Sequence, residues 1–279
     1  MAIVLETGLG RLHRGDALPW LEALPPASCD LVFADPPYGA GKQAWDVFPS
    51  EAAYLEWSAR WIDAAARALK PTGSIYVCGF SEALADLKAL VARRVDSVRW
   101  LVWAYRNKAN LGRDWGRSHE SVLHGRMAAF VLDVDAARVP YNAHTTRYPD
   151  HPQALSSQYG KRAYAWRPHP LGAKPRDVLD IPTLCNGMRE KTEHPTQKPL
   201  ELVRRLVLAA TRPGELVVDP FAGAGTAPLV AERTGRRWLA CEVDERYCAL
   251  AAERIARSDG AELDPEGAAK RRAQRAKLR

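Results

Sequence analysis

An alternation of short apolar runs with longer amphipathic segments limits the folds open to this chain. Five apolar runs bounded by turn residues have the length and composition of strands that are buried on both faces of a sheet. They are residues 31–34, 74–78, 100–103, 216–218 and 238–241. Because helical segments lie between them, the sequence predicts an α/β fold with a mostly parallel sheet.

Three of the intervening segments have the apolar spacing of helices. Ser50 is predicted to cap the first helix, which ends at Pro71-Thr-Gly73. The second helix begins at Leu200 and has Pro199 in its first turn, where proline is well tolerated. The third opens at Asp244.

The positive charge of the chain is concentrated in a central segment. The 279 residues carry 40 Lys and Arg against 33 Asp and Glu, which gives a formal net charge of +7. Residues 99–192 hold 15 basic and 8 acidic side chains, and residues 270–279 hold six basic side chains and no acidic one. The remainder is mildly acidic. This asymmetry indicates a neutral scaffold that carries a polyanion-binding segment; chance, together with a solvated tail, is the alternative.

The central basic segment also differs in composition from its surroundings. Residues 106–190 are rich in Pro, Gly, His, Arg and aromatic residues, and their apolar periodicity is weak. We therefore predict an irregular insertion there, between two halves of one α/β domain at residues 1–105 and 191–258. Residues 259–279 are predicted to form a basic, disordered tail.

Several classes of protein are disfavoured by the sequence. No apolar run approaches the roughly 18 residues that a membrane span needs, and the first residues lack the basic and apolar regions of a secretory leader. None of the five cysteines forms a C-x-x-C pair, which disfavours a disulfide framework and a structural zinc site. We therefore expect a cytoplasmic protein with neither a metal ion nor a membrane partner.

A glycine turn follows the predicted strand at residues 216–218. Asp219-Pro-Phe-Ala-Gly-Ala-Gly-Thr226 lies where the backbone can approach a ligand at the carboxyl edge of a parallel sheet. Glu242 ends the next strand, where a carboxylate can accept hydrogen bonds from both hydroxyls of a ribose. Pro228 stands in place of the third glycine of a dinucleotide fingerprint. The loop therefore favours a nucleoside ligand over NAD; a tight turn without a ligand is the alternative.

A second motif, Asp35-Pro36-Pro37-Tyr38, follows the strand at residues 31–34. The two prolines fix the backbone and donate no hydrogen bond, so the Pro36 carbonyl is held outward as an acceptor. Asp35 adds a carboxylate acceptor, and Tyr38 adds a ring on which a planar base can stack. This combination matches an exocyclic amino group on an aromatic base. A proline turn alone would not explain the acid and the aromatic residue that flank the prolines.

A third motif, His194-Pro-Thr-Gln-Lys-Pro199, directly precedes the helix that begins at Leu200. Thr196 and Lys198 carry a hydroxyl and an ammonium group, both of which can bind a carboxylate. A simple loop at a helix start is the alternative.

Along the chain the order is the Asp35–Tyr38 motif, then the His194–Pro199 motif, then the glycine turn. With this order, the three motifs resemble those of the β-group DNA amino-methyltransferases of bacterial restriction–modification systems. The resemblance covers nearly the whole chain except the tail. It implies a Rossmann-like, circularly permuted fold that uses S-adenosylmethionine, with target recognition at residues 106–190. It also implies methyl transfer to the exocyclic amino group of a base that is flipped out of double-stranded DNA. A homodimer is expected from the resemblance, and a cognate restriction endonuclease is not physically required.

The resemblance also assigns residues by position. Asp35, Pro36, Pro37 and Tyr38 would be catalytic. The cofactor-binding residues would be Asp16, Asp35, Thr196, Lys198, Asp219, Phe221, Gly223, Gly225, Thr226, Glu242 and Val243. Among them, Asp219 would lie near the cofactor amino group, Glu242 at the ribose and Val243 against the adenine. Thr196 and Lys198 would lie near the carboxylate end, and Asp16 near the adenine.

The resemblance places the DNA contacts in the basic segment. The residues expected to contact DNA are Arg106, Lys108, Arg113, Arg117, Lys161, Arg162 and Arg167. Trp103, Tyr105, His119 and Glu120 resemble the region that leads into target recognition, and no role is assigned to them.

The target base is left open by the sequence. Aspartate at the first position of the catalytic motif is the usual adenine pattern of the family, so N6 of adenine is favoured over N4 of cytosine. A methylase of RNA or of protein glutamine is a more distant alternative, because those enzymes usually have the cofactor loop before the catalytic motif. A catalytically inactive DNA-binding homologue is disfavoured by the intact motifs.

Overall fold

The three-dimensional structure is a computed structural model that describes residues 1–39, 41, 46–107, 113, 115–142, 155–157, 160–161 and 166–257. The strands are β1 (Ala2–Glu6), β2 (Gly10–Arg14), β3 (Cys29–Ala34), β4 (Leu69–Gly79), β5 (Ser97–Ala104), β6 (His119–Arg126), β7 (Ser156–Ser157), β8 (Gly160–Lys161), β9 (Val178–Asp180), β10 (Leu216–Asp219) and β11 (Arg237–Glu242). The helices are α1 (Ala17–Glu22), α2 (Glu51–Ala68), α3 (Ser81–Ala92), α4 (Leu200–Ala210), α5 (Thr226–Arg233) and α6 (Glu245–Ala256). Within the described ranges, no helix combines the length and the apolar character needed to cross a bilayer.

Nine strands form one sheet in the order β1-β2-β11-β10-β3-β4-β6-β5-β9. Its centre, from β2 to β4, is parallel throughout. From β3 the chain moves outward to β4, whereas from β10 it moves the opposite way to β11. The boundary between β3 and β10 is therefore a topological switch point, where the loops after the strands diverge and leave a crevice.

Both faces of the sheet are covered by helices. On one face, Val32 and Ala34 of β3 pack with buried residues of α1, α2 and α3. On the other face, Leu31 and Phe33 pack with buried residues of α4, α5 and α6. Because successive side chains of a strand point to opposite faces, the apolar run at residues 31–34 requires cover on both faces, which the three-layer arrangement provides. The prediction of an α/β fold is confirmed.

All five predicted strands are present, and β5 departs most from the predicted burial. Of residues 100–103 in β5, only Trp103 is fully buried and the other three are half-buried. The reason is position: β5 lies near one edge of the sheet, where it pairs with β6 and the three-residue strand β9.

The predicted helix starts are correct at Ser50 and Asp244, whose side chains accept hydrogen bonds from the backbone of the first turn. The predicted end of the first helix was wrong, because α2 stops at Ala68 and residues 71–73 lie inside β4. The register between β3 and β4 shifts in this stretch, so the Pro–Thr–Gly sequence occupies an irregularity in a strand. Pro199 is the residue before α4 rather than part of its first turn.

The prediction that residues 106–190 are irregular was wrong for β6. This strand lies inside that segment, yet it pairs with β4 on one side and β5 on the other. Both pairings are antiparallel, so β6 returns the chain through the sheet after β5. Lys108, Arg162 and the predicted tail at residues 259–279 lie outside the described residues.

An ion pair fixes the end of the sheet that is remote from the strand-end crevice. The buried carboxylate of Asp30, at the start of β3, accepts hydrogen bonds from Lys70 Nζ at 2.9 and 2.8 Å. It also accepts a bond of 2.9 Å from the backbone N–H of Leu216. One side chain therefore ties together the beginnings of β3, β4 and β10.

We expect Asp30→Ala to lower the free energy of unfolding by about 2–4 kcal/mol, because it leaves a half-buried ammonium and a buried N–H without their acceptor. Lys70→Met is the matched control and is expected to cost less, since the Asp30 carboxylate keeps its bond to the backbone of Leu216. Urea denaturation measures both. Equal stability of Asp30→Ala and the parent protein would contradict this role.

Candidate active site

The crevice at the switch point is a cavity of about 420 Å³. The loop after β3 supplies Asp35 through Tyr38, and the loop after β10 supplies Asp219 through Ala224. The segment before α4 adds residues 194–198, and Glu242 and Val243 come from the end of β11. All three sequence motifs therefore meet at one edge of the sheet, although the Asp35–Tyr38 motif and the glycine turn at Asp219 are more than 180 residues apart in the sequence.

Asp35 is held at both carboxylate oxygens. The Tyr38 hydroxyl donates to Asp35 Oδ1 at 2.7 Å, and the Lys198 ammonium donates to Asp35 Oδ2 at 2.7 Å. The Asp35 side chain remains 17% exposed, whereas that of Lys198 is 5% exposed. The carboxylate is thus fixed in orientation but still faces the cavity.

Lys198 lies between two carboxylates. Its Nζ is 3.7 Å from Glu120 Oε2 on β6, in addition to its bond with Asp35. Burial alone would lower the pKa of Lys198, but Asp35 and Glu120 raise it above its usual range. The lysine therefore stays charged. The resemblance assigned Lys198 to the carboxylate end of the cofactor; in the structure Lys198 lines the cavity, and its ammonium group binds Asp35.

The ring of Tyr38 is fixed by its surroundings. The backbone N–H groups of Tyr38 and Gly39 donate to Asp46 Oδ1 at 2.7 and 2.8 Å, which holds the turn after the two prolines. The ring of Phe80, which follows β4, meets the Tyr38 ring edge to face with 4.9 Å between centroids. Burial and the nearby Asp35 raise the pKa of Tyr38 well above its usual value, so its hydroxyl remains a donor.

The side of the cavity at the ends of β10 and β11 contains two acids, Asp219 and Glu242, that have no ion-pair partner in the described part of the chain. Asp219 Oδ1 accepts from the Phe221 N–H at 3.1 Å, and Glu242 accepts from the N–H groups of Gly223 and Asp244 at 2.7 and 2.9 Å. Burial raises the pKa of Asp219 well above its usual value and also raises that of Glu242. A cationic ligand group beside Asp219 would therefore be stabilised strongly.

The two glycines of the loop have different environments. Both have left-handed backbone, with φ of 52° at Gly223 and 72° at Gly225. Gly223 lies at the cavity, and a Cβ there would come within 2.9 Å of His194 Nε2. Gly225 does not line the cavity; a Cβ there would meet Ala251 of α6 at 2.8 Å. The glycine at 225 therefore serves the close packing of α5 against α6.

The other predicted cofactor residues are close by. Asp16 lines the cavity, and its Oδ1 caps α1 by accepting from the Leu18 N–H at 2.8 Å. Thr226 lines it as well, and its hydroxyl donates to the Lys198 carbonyl at 3.3 Å. Thr196, Phe221 and Val243 also line it, and Val243 is 55% exposed.

These groups fit S-adenosylmethionine. Desolvated carboxylates suit its cationic amino group, Glu242 suits a ribose, and the exposed apolar surface of Val243 suits an adenine ring. In the described ranges, no group of three or more His, Cys, Asp or Glu is placed to hold a metal ion.

Several residues at the cavity were given no role from the sequence. His194 lines the cavity and Glu120 contacts Lys198 beside it, although both were named in the sequence without a role. Phe48, Trp57, Phe80 and Tyr247 also line the cavity and were not singled out. Phe80 had a usable signal, because it directly follows β4, next to β3 in the sheet. Trp57 had none, since an aromatic residue on an amphipathic helix is usually part of the core.

The residues predicted to bind DNA are exposed wherever their side chains are described. Arg106 pairs with Asp180 at 3.4 Å, and Arg117 with Glu82 at 3.2 Å. Arg113 and Arg167 are also exposed, and Lys161 lies in β8. The Arg117 guanidinium lies 4.0 Å above the Phe80 ring, which brings one of these residues to the border of the cavity.

Comparison with known proteins gives consistent relatives. The sequence profile of a family described as DNA methylase, covering N6 and N4 methyltransferases, matches residues 29–253. The DNA adenine methyltransferase YhdJ of Escherichia coli K12 is 30% identical over 249 residues, which span 86% of this chain and 81% of YhdJ. The type II methyltransferase M1.MboII of Moraxella bovis is 28% identical over 247 residues, 86% of this chain and 94% of the relative.

Solved structures agree with these relatives. A DNA modification methylase of Thermus thermophilus, TTHA0409, solved with S-adenosyl-L-methionine, superposes with a TM-score of 0.60 at 26% identity, covering 89% of this chain and 94% of that chain. The PvuII cytosine-N4-specific methyltransferase gives 0.67 at 20% identity, with 92% and 90% covered, and supports the fold. The chain therefore belongs to the N6/N4 DNA methylase family and is an S-adenosylmethionine-dependent DNA amino-methyltransferase.

Proposed function

We propose that this enzyme methylates the N6 amino group of adenine in double-stranded DNA, and that Asp35, Pro36 and Tyr38 receive the flipped base. The observation that carries the proposal is the position of Asp35, which faces the same cavity as the glycine loop after β10. Two further facts favour adenine: the first motif residue is aspartate, and the relative from Escherichia coli is named a DNA adenine methyltransferase.

The geometry of Asp35 suits binding of an amino group. Each carboxylate oxygen accepts one bond within the protein and keeps further acceptor capacity. With the Pro36 carbonyl as a second acceptor, both N–H groups of the base are bound by the protein. The nitrogen lone pair is then less delocalised into the ring, and positive charge that develops on nitrogen is stabilised.

Lys198 and Tyr38 act by positioning Asp35 in this scheme. Their two bonds of 2.7 Å leave the carboxylate little freedom to rotate, so its free lone pairs point to a fixed place in the cavity. The ring of Tyr38 offers a face on which the base stacks. Glu120 offsets part of the positive charge of Lys198.

The cofactor site uses the other half of the cavity. When bound, S-adenosylmethionine supplies an electrophilic methyl group. Asp219 is proposed to bind its amino group, Glu242 its ribose hydroxyls, and Asp16 and Val243 its adenine end. Thr196 and Phe221 complete the surroundings, with Gly223 and Thr226 shaping the turn.

The DNA is proposed to lie across the basic segment at residues 106–190. Arg106, Arg113, Arg117 and Arg167 are exposed and suited to phosphate contacts. We further propose that the enzyme works in the cytoplasm at the nucleoid and forms a homodimer. A cognate restriction endonuclease would share the recognition sequence without forming a complex with the enzyme.

The base and the recognition sequence are determined together by one experiment. We expect DNA from a host that expresses the protein to contain N6-methyladenine at one sequence context, measured by nucleoside mass spectrometry and by single-molecule sequencing. An Asp35→Ala host is the control. N4-methylcytosine in place of N6-methyladenine would contradict the adenine assignment, but it would still agree with methyl transfer to an exocyclic amino group.

Removal of the proposed acceptor is expected to stop transfer while sparing the cofactor site. Asp35→Ala and the closer mimic Asp35→Asn are expected to lower the single-turnover methylation rate at least about a hundredfold. Binding of S-adenosylmethionine, measured by calorimetry, is expected to change only a few-fold. Asp63→Asn alters an exposed acid on α2 and is the matched control. Near-normal transfer by both Asp35 variants would exclude this role.

The raised pKa of Asp219 predicts that cofactor affinity depends on pH. The carboxyl group of Asp219 holds its proton to a higher pH than usual, whereas the cationic amino group of the cofactor favours the ionised form. Cofactor affinity should therefore fall as the pH is lowered. We expect Asp219→Asn to weaken cofactor binding roughly tenfold or more at pH 7.5. The variant should also make the affinity less dependent on pH, and Glu242 should account for the smaller dependence that remains. An unchanged slope in this variant would exclude Asp219 as the titrating group.

A further inference from the structure

We propose that Arg254, a half-buried residue of α6 that does not line the cavity, positions the glycine loop after β10 for the cofactor. It acts through the carbonyl of Ala224 and the hydroxyl of Thr226, without touching the cofactor. The inference rests on the proposed placement of the cofactor at this loop, and it is independent of the identity of the target base.

The glycine loop depends on neighbouring elements for its shape. Gly223 and Gly225 both have left-handed backbone, and glycine loses more conformational freedom on folding than any other residue. Gly225 is also the N-cap of α5, where it has no side chain to accept a hydrogen bond from the first turn. Order in this loop must therefore come from groups outside it.

The guanidinium group of Arg254 binds the loop twice through one nitrogen. Its Nη1 donates to the Ala224 carbonyl at 2.7 Å and to the Thr226 hydroxyl at 3.2 Å. Hydrogen bonds from a charged donor are roughly twice as strong as those between neutral groups. The stronger of the two contacts falls on Ala224, the residue between the two glycines.

The peptide group between Ala224 and Gly225 is thereby held on both sides. Its N–H donates to the Ala222 carbonyl at 2.7 Å, which closes the turn, and its carbonyl accepts from Arg254. The turn supplies only the first of these bonds. Arg254 therefore fixes the orientation of a peptide whose other torsions are free to vary at the glycines.

The place of Arg254 on α6 suits this role. A Cβ on Gly225 would meet Ala251 of the same helix at 2.8 Å, so helix and loop are already in close contact there. Residues 251 and 254 are three positions apart and lie on one face of the helix. Packing at Ala251 sets the distance between α6 and the loop, and Arg254 sets the orientation of the loop backbone.

Thr226 extends the contact to the segment before α4. Its hydroxyl accepts from Arg254 and donates to the Lys198 carbonyl at 3.3 Å. Thr226 is buried, so water does not readily replace either partner. Because the Lys198 ammonium binds Asp35, one side chain outside the cavity joins the glycine loop to the segment that holds this carboxylate.

The expected consequence concerns cofactor binding. Without Arg254, the empty loop would sample several conformations, and only one of them fits the cofactor. The apparent Kd then rises in inverse proportion to the population of that conformation. Once the cofactor is bound, its own contacts hold the loop, so the methylation rate at saturating cofactor should change little.

Two variants of Arg254 test this expectation. We expect Arg254→Met to raise the Kd for S-adenosylmethionine about tenfold or more, measured by calorimetry. Its single-turnover rate at saturating cofactor should stay within about threefold of wild type. Arg254→Lys keeps the charge and can still donate to Ala224, so it should bind the cofactor at least about threefold more tightly than Arg254→Met.

Hydrogen exchange in the cofactor-free protein measures the loop directly. We expect the backbone N–H groups of residues 222–226 to exchange at least about fivefold faster in Arg254→Met than in wild type. Arg257→Met is the matched control, because it removes an arginine that follows α6 and pairs with Glu253 at the surface. It should match wild type in affinity, rate and exchange.

Melting temperatures verify that each variant is folded. If Arg254→Met does not fold, Arg254→Lys carries the same test, with a loss of affinity of about threefold and faster exchange in the loop as the expected results.

Three outcomes would contradict the proposal: cofactor affinity unchanged in the Arg254 variants, loop exchange unchanged, or equal losses of affinity and of the saturated rate, which indicate a general role in the fold. Comparison with Asp219→Asn separates this inference from the proposed cofactor site. If Asp219→Asn weakens cofactor binding and Arg254→Met does not, the site is supported and the role of Arg254 is wrong. If neither variant weakens it, the placement of the cofactor is wrong as well.

Discussion

The ion pair between Lys198 and Asp35 is the contact on which the active site depends. The two residues are 163 positions apart, and their charged groups meet at 2.7 Å. Asp35 belongs to the loop after β3, and Lys198 belongs to the segment that precedes α4. Both are largely buried, so separating them would leave a charge without compensation. The ion pair therefore holds the two segments in a fixed relative position, and the carboxylate oxygens of Asp35 face the cavity.

The sheet makes this contact geometrically simple. Because β3 and β10 are parallel neighbours, the loops that follow them emerge at the same edge, whatever their order along the chain. A circularly permuted order is therefore compatible with an unchanged site. The switch in direction between these strands opens the crevice, and the Asp30 interaction fixes their opposite ends. The Asp30 interaction therefore helps to keep the two loops at the crevice in fixed relative positions.

Much of the site could be predicted from the sequence, because strand ends and their loops are local features. The acid and prolines after β3, and the acid and glycines after β10, could each be recognised from a run of eight residues or fewer. Glu120 could not be, since its closeness to Lys198 arises only when β6 pairs between β4 and β5. The end of α2 was missed for a similar reason: pairing with β3 extends β4 back to Leu69, and tertiary pairing outweighed the helix pattern.

The acids at this edge differ in what compensates their charge, and this difference agrees with the proposed division of the cavity between the base and the cofactor. Asp35 has a cation supplied by the protein itself, whereas Asp219 and Glu242 accept backbone N–H groups and have raised pKa values. A neutral amino group can therefore approach Asp35 without altering the charge balance of the protein. A positively charged cofactor, in contrast, would complete the electrostatics at Asp219 on binding. The cavity thus favours a cation on one side and an uncharged, hydrogen-bonding base on the other, which is the pairing that methyl transfer to an amino group requires.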